Sequence, residues 1–143
     1  MGQGSLSKKH MSFTVFINKF EHEKAASFDL KELEAITAKY GSWHSGDLGL
    51  EFHAQEKDLF ETTDLFGSEE ATHTSISILR PNAKSRLKEL IFDLLELPGT
   101  CFFTQDLEAV YVRNTPSHQL PKDLVSQTDW GIIQVAVAKE LMN

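Results

Sequence analysis

Cysteine is almost missing from this chain of 143 residues, where Cys101 stands alone. A single thiol cannot form an internal disulfide, which excludes a stapled scaffold and fits a reducing compartment. Long apolar runs are missing too. The longest nearly uninterrupted one, Leu90 to Leu97, carries Asp93 and Glu96 and is too short to span a bilayer. No apolar h-region lies in the first ten residues, so no signal-peptide pattern is recognisable. Basic residues are the third shortage, with 14 Lys and Arg against 21 Asp and Glu. Phosphate contacts need clustered Lys and Arg, so the balance argues against nucleic acid as a partner. These shortages together lead to the expectation of a cytoplasmic protein with no membrane association.

The remainder is ordinary for a folded domain, at 41% hydrophobic and 24% charged. The length accommodates one domain with a core that needs no metal or disulfide. Residues 1–10, Met-Gly-Gln-Gly-Ser-Leu-Ser-Lys-Lys-His, are small and polar. They read as a vector-derived tail, with the natural start at Met11 and a single domain over 11–143. Discounting Lys8 and Lys9 moves the formal charge from −7 to −9.

The largest apolar mass lies between Asn82 and Val112. Leu87, Leu90, Ile91, Leu94 and Leu95 recur at i, i+3, i+4, i+7 and i+8, one face of a helix. Asn82 is its expected cap and Pro98-Gly99 its stop. Cys101-Phe102-Phe103 and Ala109 to Val112 then read as a buried hairpin. Upstream, Phe13 to Phe20 is β-branched and aromatic with apolar residues near both faces, which predicts a central strand. Asp29 is placed to cap a first helix striped by Leu30, Leu33, Ile36 and Tyr40, with Gly41 as its C-terminal stop.

From Gly46 to Leu79 the period changes to two, predicting three short antiparallel strands. Their turns are expected at Ser45 to Asp47, Ala54 to Lys57 and Phe66 to Glu70. Leu59 and Phe60 fall beside Glu61 and Asp64, and Ile76 and Ile78 share one side of the third strand. A loop at Asn114 to Gln119, a short helix over Leu120 to Gln127 and a last strand over Trp130 to Val137 complete the chain. The order lacks regular βαβ alternation. The expected fold is therefore α+β: a largely antiparallel sheet with two main helices packed on one face.

Motifs that carry chemistry are scarce. Cys101 sits between a helix stop and two phenylalanines, with no histidine close in sequence, and reads as a core residue. His44, Asp47, His53 and His73 match no ligand spacing and read as solvated side chains of turns and of the wet strand face. Gly46 and Gly49 open no phosphate-binding helix. No cofactor or metal is expected. Charge placement is the feature that departs from the ordinary. Asp47, Glu51, Glu56, Asp58, Glu61, Asp64, Glu69 and Glu70 face a single base, Lys57, over 24 residues, a formal charge of −7. This strip is either a wet sheet face kept soluble by its charges or a patch that meets a basic partner. In the second case Trp43 and Phe66 are the apolar anchors. Trp43 also reads as a lid over the core edge.

The stretches Thr14-Val-Phe-Ile-Asn-Lys-Phe-Glu21, Phe28-Asp29, Lys39-Tyr40-Gly41 and Gly99-Thr-Cys-Phe-Phe-Thr104 resemble small bacterial α+β proteins. Some of those resemble immunity proteins of toxin–antitoxin and contact-dependent inhibition systems. The resemblance implies a small, acidic, non-enzymatic protein that plugs a toxin's active site, and it carries no functional residue across. The expected function is a protein-binding module, an immunity protein neutralising a basic toxin domain. Two alternatives stay open: a small enzyme using dispersed residues such as His44, Asp47 and His53, and a ligand-binding or assembly module.

Overall fold

Val15 and Ile17 point to one side of an extended segment while Phe16 and Phe20 point to the other, so the strand that carries them needs cover on both faces. The computed structural model, which describes residues 14–46, 49–55, 66–68, 74–79 and 86–141, covers the Val15 and Ile17 side in full and the other side at Phe20. In chain order the elements are β1 (Thr14–Glu21), β2 (Lys24–Ala25), α1 (Leu30–Thr37), β3 (Gly41–Gly46), β4 (Gly49–Ala54), β5 (Phe66–Ser68), β6 (Ser75–Leu79), α2 (Leu87–Leu94), β7 (Thr100–Thr104), β8 (Val110–Val112), α3 (Lys122–Ser126) and β9 (Ile132–Gln134). The strands form one sheet in the order β3-β4-β5-β6-β1-β7-β8-β9, with β2 paired to β1 alone. All pairs are antiparallel except β8 with β9. The fold is α+β, with β1 in the sheet interior as its composition predicts.

The main core lies between the sheet and the two longer helices. Leu87, Leu90, Ile91, Leu94 and Leu95 are fully buried against Val15, Ile17, Phe52, Ile76, Ile78, Phe102 and Tyr111. From α1, Leu33 is buried and Ile36 packs at the edge, joined by Phe28 and Tyr40. Where α1 ends beside α2, the Tyr40 hydroxyl donates to Asp93 Oδ2 at 2.6 Å and Lys39 Nζ lies 3.2 Å from the same oxygen. Burial first, then the Asp93 carboxylate, raises the Tyr40 pKa, so the phenol stays protonated and keeps donating.

A second, smaller core covers the opposite face, on the β7–β9 side only. Cys101, Val110 and Val112 are buried there with Leu120, and Phe20, Phe103, Leu124, Val125 and Ile132 pack around them. The segment around α3 is thus a cover on the face away from α1 and α2. Adjacent residues of β7 and β8 go to different cores, which is why both strands read as continuous apolar runs.

Several local expectations hold and several are corrected. Asp29 caps α1, its Oδ1 accepting from Lys31 N at 2.9 Å and Glu32 N at 3.3 Å. Leu30, expected in the stripe, is exposed at 39% because it lies in the first turn beyond the sheet's reach. Gly41 does not stop the helix, which ends at Thr37. It opens β3 instead, where an added Cβ would sit 2.2 Å from the carbonyl oxygen of His53. The helix α2 starts at Leu87 behind Arg86, with no side-chain cap, and Asn82 lies outside the described residues. Gly99 does end the turn after α2, at φ +80°, and a Cβ there would approach the Phe20 carbonyl oxygen to 2.4 Å.

Phe66–Ser68 is a strand rather than a turn, because β4 and β6 hold it on both sides. The expected last strand is shorter, Ile132–Gln134, and runs parallel to β8. Trp130 at its entry is 58% exposed. The tail at 1–10, Leu59 and Phe60 lie outside the described residues.

Two expected outcomes follow from this packing. Leu90→Ala or Leu94→Ala, each emptying a fully buried site, costs about 2–5 kcal/mol in urea unfolding. At the C-terminal end, Glu140 accepts from the amides of Ala136 at 2.6 Å and Val137 at 3.1 Å, and these bonds, Ala136's first, hold its carboxyl below the ordinary range. A depressed carboxyl stabilises the fold above its unfolded pKa, about 4.3, and loses that effect as pH falls through the folded value. The stability gap between the parent and Glu140→Gln is therefore full at neutral pH and closes on acidification, as urea midpoints taken across the acid range will show.

Candidate functional site

The half of the sheet that α3 does not cover presents a polar outer face. In β3 and β4 the pair Trp43 and Phe52 faces the helices, so their neighbours face away. Register places Ser42 opposite His53 and His44 opposite Glu51, and these four side chains form one cluster. The rings of His44 and His53 stack with centroids 4.3 Å apart and planes inclined by 22°. Ser42 Oγ lies 2.7 Å from His44 Nε2, and His53 Nε2 lies 3.7 Å from Glu51 Oε1. Further along the same face, Ser75 Oγ donates to Asn18 Oδ1 at 2.7 Å, Ser77 follows on β6, and Phe16 meets Phe103 with ring centroids 5.4 Å apart. Among the described residues, no helix lies over this part of the face.

The face offers hydroxyl, imidazole and carboxylate groups for hydrogen bonding. Ser42 and His44 have the spacing of a nucleophile and a base, but His44 is stacked on another imidazole and both residues are exposed on an open strand. Charge development in a reaction is best stabilised where water is excluded. Stacked rings also aim their ring nitrogens along parallel planes, which does not converge on an ion. Among the described residues, no group of three or more His, Cys, Asp or Glu is arranged to hold a metal. Asp47 and His73 lie outside the described residues.

Of the acidic strip, Glu51 is described and sits half-buried on this face. Asp47, Glu56, Asp58, Glu61, Asp64, Glu69 and Glu70 lie outside the described residues. Of the two anchors, Trp43 lies on the opposite, helix-covered face. Its indole meets Phe52 edge to face at 5.1 Å and donates from Nε1 to Thr37 Oγ1 at 2.9 Å, closing the core edge as a lid. The main chain of Phe66 pairs with Ile78.

Elsewhere, a groove of about 580 Å³ is lined by Lys19, Glu21, Glu96, Asn114 and Gln119 among others. No sequence motif announces it, since its walls come from four separate segments. Cys101 is fully buried in the second core, and burial pushes its thiol up to about 12. This is the inert core cysteine that the sequence predicts. Sequence reading missed Ser42, Asn18, Ser75 and Ser77 as members of the open face. The alternation Ser75-Ile-Ser-Ile78 is the signal that would have found two of them.

Comparison with protein-family models, with curated proteins and with solved structures finds no match to this chain.

The two faces respond differently to truncation. Replacing His44 and His53 together by threonine shifts the unfolding free energy by less than about 1 kcal/mol, the usual range of a cross-strand pair. Trp43→Ala costs about 2 kcal/mol or more, because it uncovers Phe52. Chemical denaturation of the two variants side by side checks both values.

Proposed function

We propose that this protein acts by binding another protein, a basic domain of the kind that an immunity protein caps, and that it does so in the cytoplasm. The observation that carries the reading is the charge of −7 concentrated between Asp47 and Glu70, in a chain whose β3, β4 and β6 carry Ser42, His44, Glu51, His53, Ser75 and Ser77 on the outer face. Its acids stand in the segments that join β3 to β4, β4 to β5 and β5 to β6, with Glu51 inside β4. Complementary potentials of this kind accelerate encounter and select the partner, while apolar contacts set the lifetime of the complex. The resemblance to toxin-immunity proteins supports the same occupant.

Charge reversal tests it. Glu56, Asp58 and Glu61 together replaced by lysine slow association about tenfold or more at low salt. The effect shrinks as salt rises, since the screening length is already about 8 Å at physiological ionic strength. The same reversal of Glu32, Glu34 and Glu89, exposed on α1 and α2, changes the rate far less. The partner is first isolated by pull-down from the source cell, and association is then followed by stopped flow. Equal rates for the two triple variants overturn the reading.

A further inference from the structure

Two consecutive residues with a Cβ, His22 at φ 51° and Glu23 at φ 69°, take left-handed backbone in the turn between β1 and β2. Register makes this a two-residue hairpin, Glu21 pairing with Lys24, a geometry that ordinarily selects Asn-Gly. The turn is held in place from outside. His22 N donates to Gln119 Oε1 at 2.6 Å, and Glu23 N donates to the Gln119 carbonyl oxygen at 3.0 Å. In return, Glu23 Oε1 accepts from Lys122 N at the start of α3, at 3.3 Å.

These three bonds have a further property. Among the described residues, the hydrogen bonds that join Ser117–Ser126 to the rest of the fold all run to this turn, and the segment's other bonds are internal or reach its immediate flanks. Firm attachments lie just outside it. On one side Thr115, buried, donates from Oγ1 to the Thr100 carbonyl oxygen at 2.9 Å. On the other, Trp130 N donates to the Glu108 carbonyl oxygen at 2.9 Å. Between these points the segment contributes Leu120, Leu124 and Val125 to the cover over Cys101, Val110 and Val112, and Gln119 forms one wall of the 580 Å³ groove.

We propose that Ser117–Ser126 is a hinged cover, latched by Gln119 to the strained His22-Glu23 turn, which opens as a unit while the main core stays folded. Letting go leaves the turn held only by the short β1–β2 pairing, so the strain works against the latch. Opening uncovers the apolar sheet face around Cys101 and widens the groove that Gln119 walls.

Cys101, the only thiol in the chain, reports the opening. The full-length protein is treated with iodoacetamide at neutral pH over a series of low urea concentrations, and alkylation is followed by mass spectrometry. A cover that opens locally gives a labelling rate whose urea slope is much shallower than that of global unfolding. Gln119→Ala, which removes the side-chain acceptor of the latch, raises that rate about tenfold. His22→Asn, which tolerates left-handed backbone better, lowers it a few-fold. The wild-type slope and the His22→Asn variant decide the matter if Gln119→Ala does not fold. Labelling that carries the full slope of global unfolding in the wild type overturns the proposal. So does faster labelling of His22→Asn.

Discussion

The structure depends on β1, whose Val15 and Ile17 side is fully buried while its other side is packed only toward Phe20. The strand binds β6 along one edge and β7 along the other, and it supplies Val15 and Ile17 to one core while Phe20 packs against the other. Neither core closes without it. The helix α2 is the counterpart on one side, with four fully buried leucine and isoleucine side chains and Leu95 buried just after it. The Ser117–Ser126 segment is the counterpart on the other, and it is far lighter. Burial on the order of 25 cal/mol per Å² makes the α2 side the thermodynamic anchor and leaves the other side the weaker one. Regions of lower local stability are drawn from such thinly packed layers.

This asymmetry also accounts for how much could be read from the sequence. Elements whose side chains are dictated by burial were legible: β1 from its two-sided apolar run, α2 from its leucine stripe, and the β7–β8 hairpin from Cys101-Phe102-Phe103. Asp29 was legible because a cap is a local hydrogen bond. What failed was whatever rests on pairing. Gly41-Ser-Trp-His-Ser-Gly46 has one large apolar side chain and glycine at both ends, so no strand is expected there, and only β4 makes it one. The direction of β9 is invisible for the same reason, since alternation is identical in parallel and antiparallel strands. The His22-Glu23 turn lacks the glycine or asparagine that marks such turns, because the residues that hold it lie about a hundred positions away, at Gln119 and Lys122.

The candidate site was legible as composition and not as geometry. A run of acids can be counted in a sequence, whereas the stack of His44 on His53 needs the register of two strands. Trp43 shows the limit of counting most clearly. Its place near the acidic strip suggested an anchor for a partner, yet its indole spends itself on Phe52 and Thr37. An outward-facing surface built from serine, histidine, asparagine and glutamate carries little packing energy and tolerates change.

The parallel pairing of β8 with β9 has a consequence for the segment between them. Antiparallel neighbours can be joined by a tight turn, but parallel ones need a crossover that returns the chain to the start of the sheet edge. Residues 113–131, including α3, are that crossover. Both of its ends are therefore fixed in the same sheet, on strands that bond each other. A displaced crossover remains a short tethered loop, so returning it has a small entropic cost compared with folding a terminal arm back from solvent. Its excursions are limited in reach by topology, whatever side chains set how often they occur.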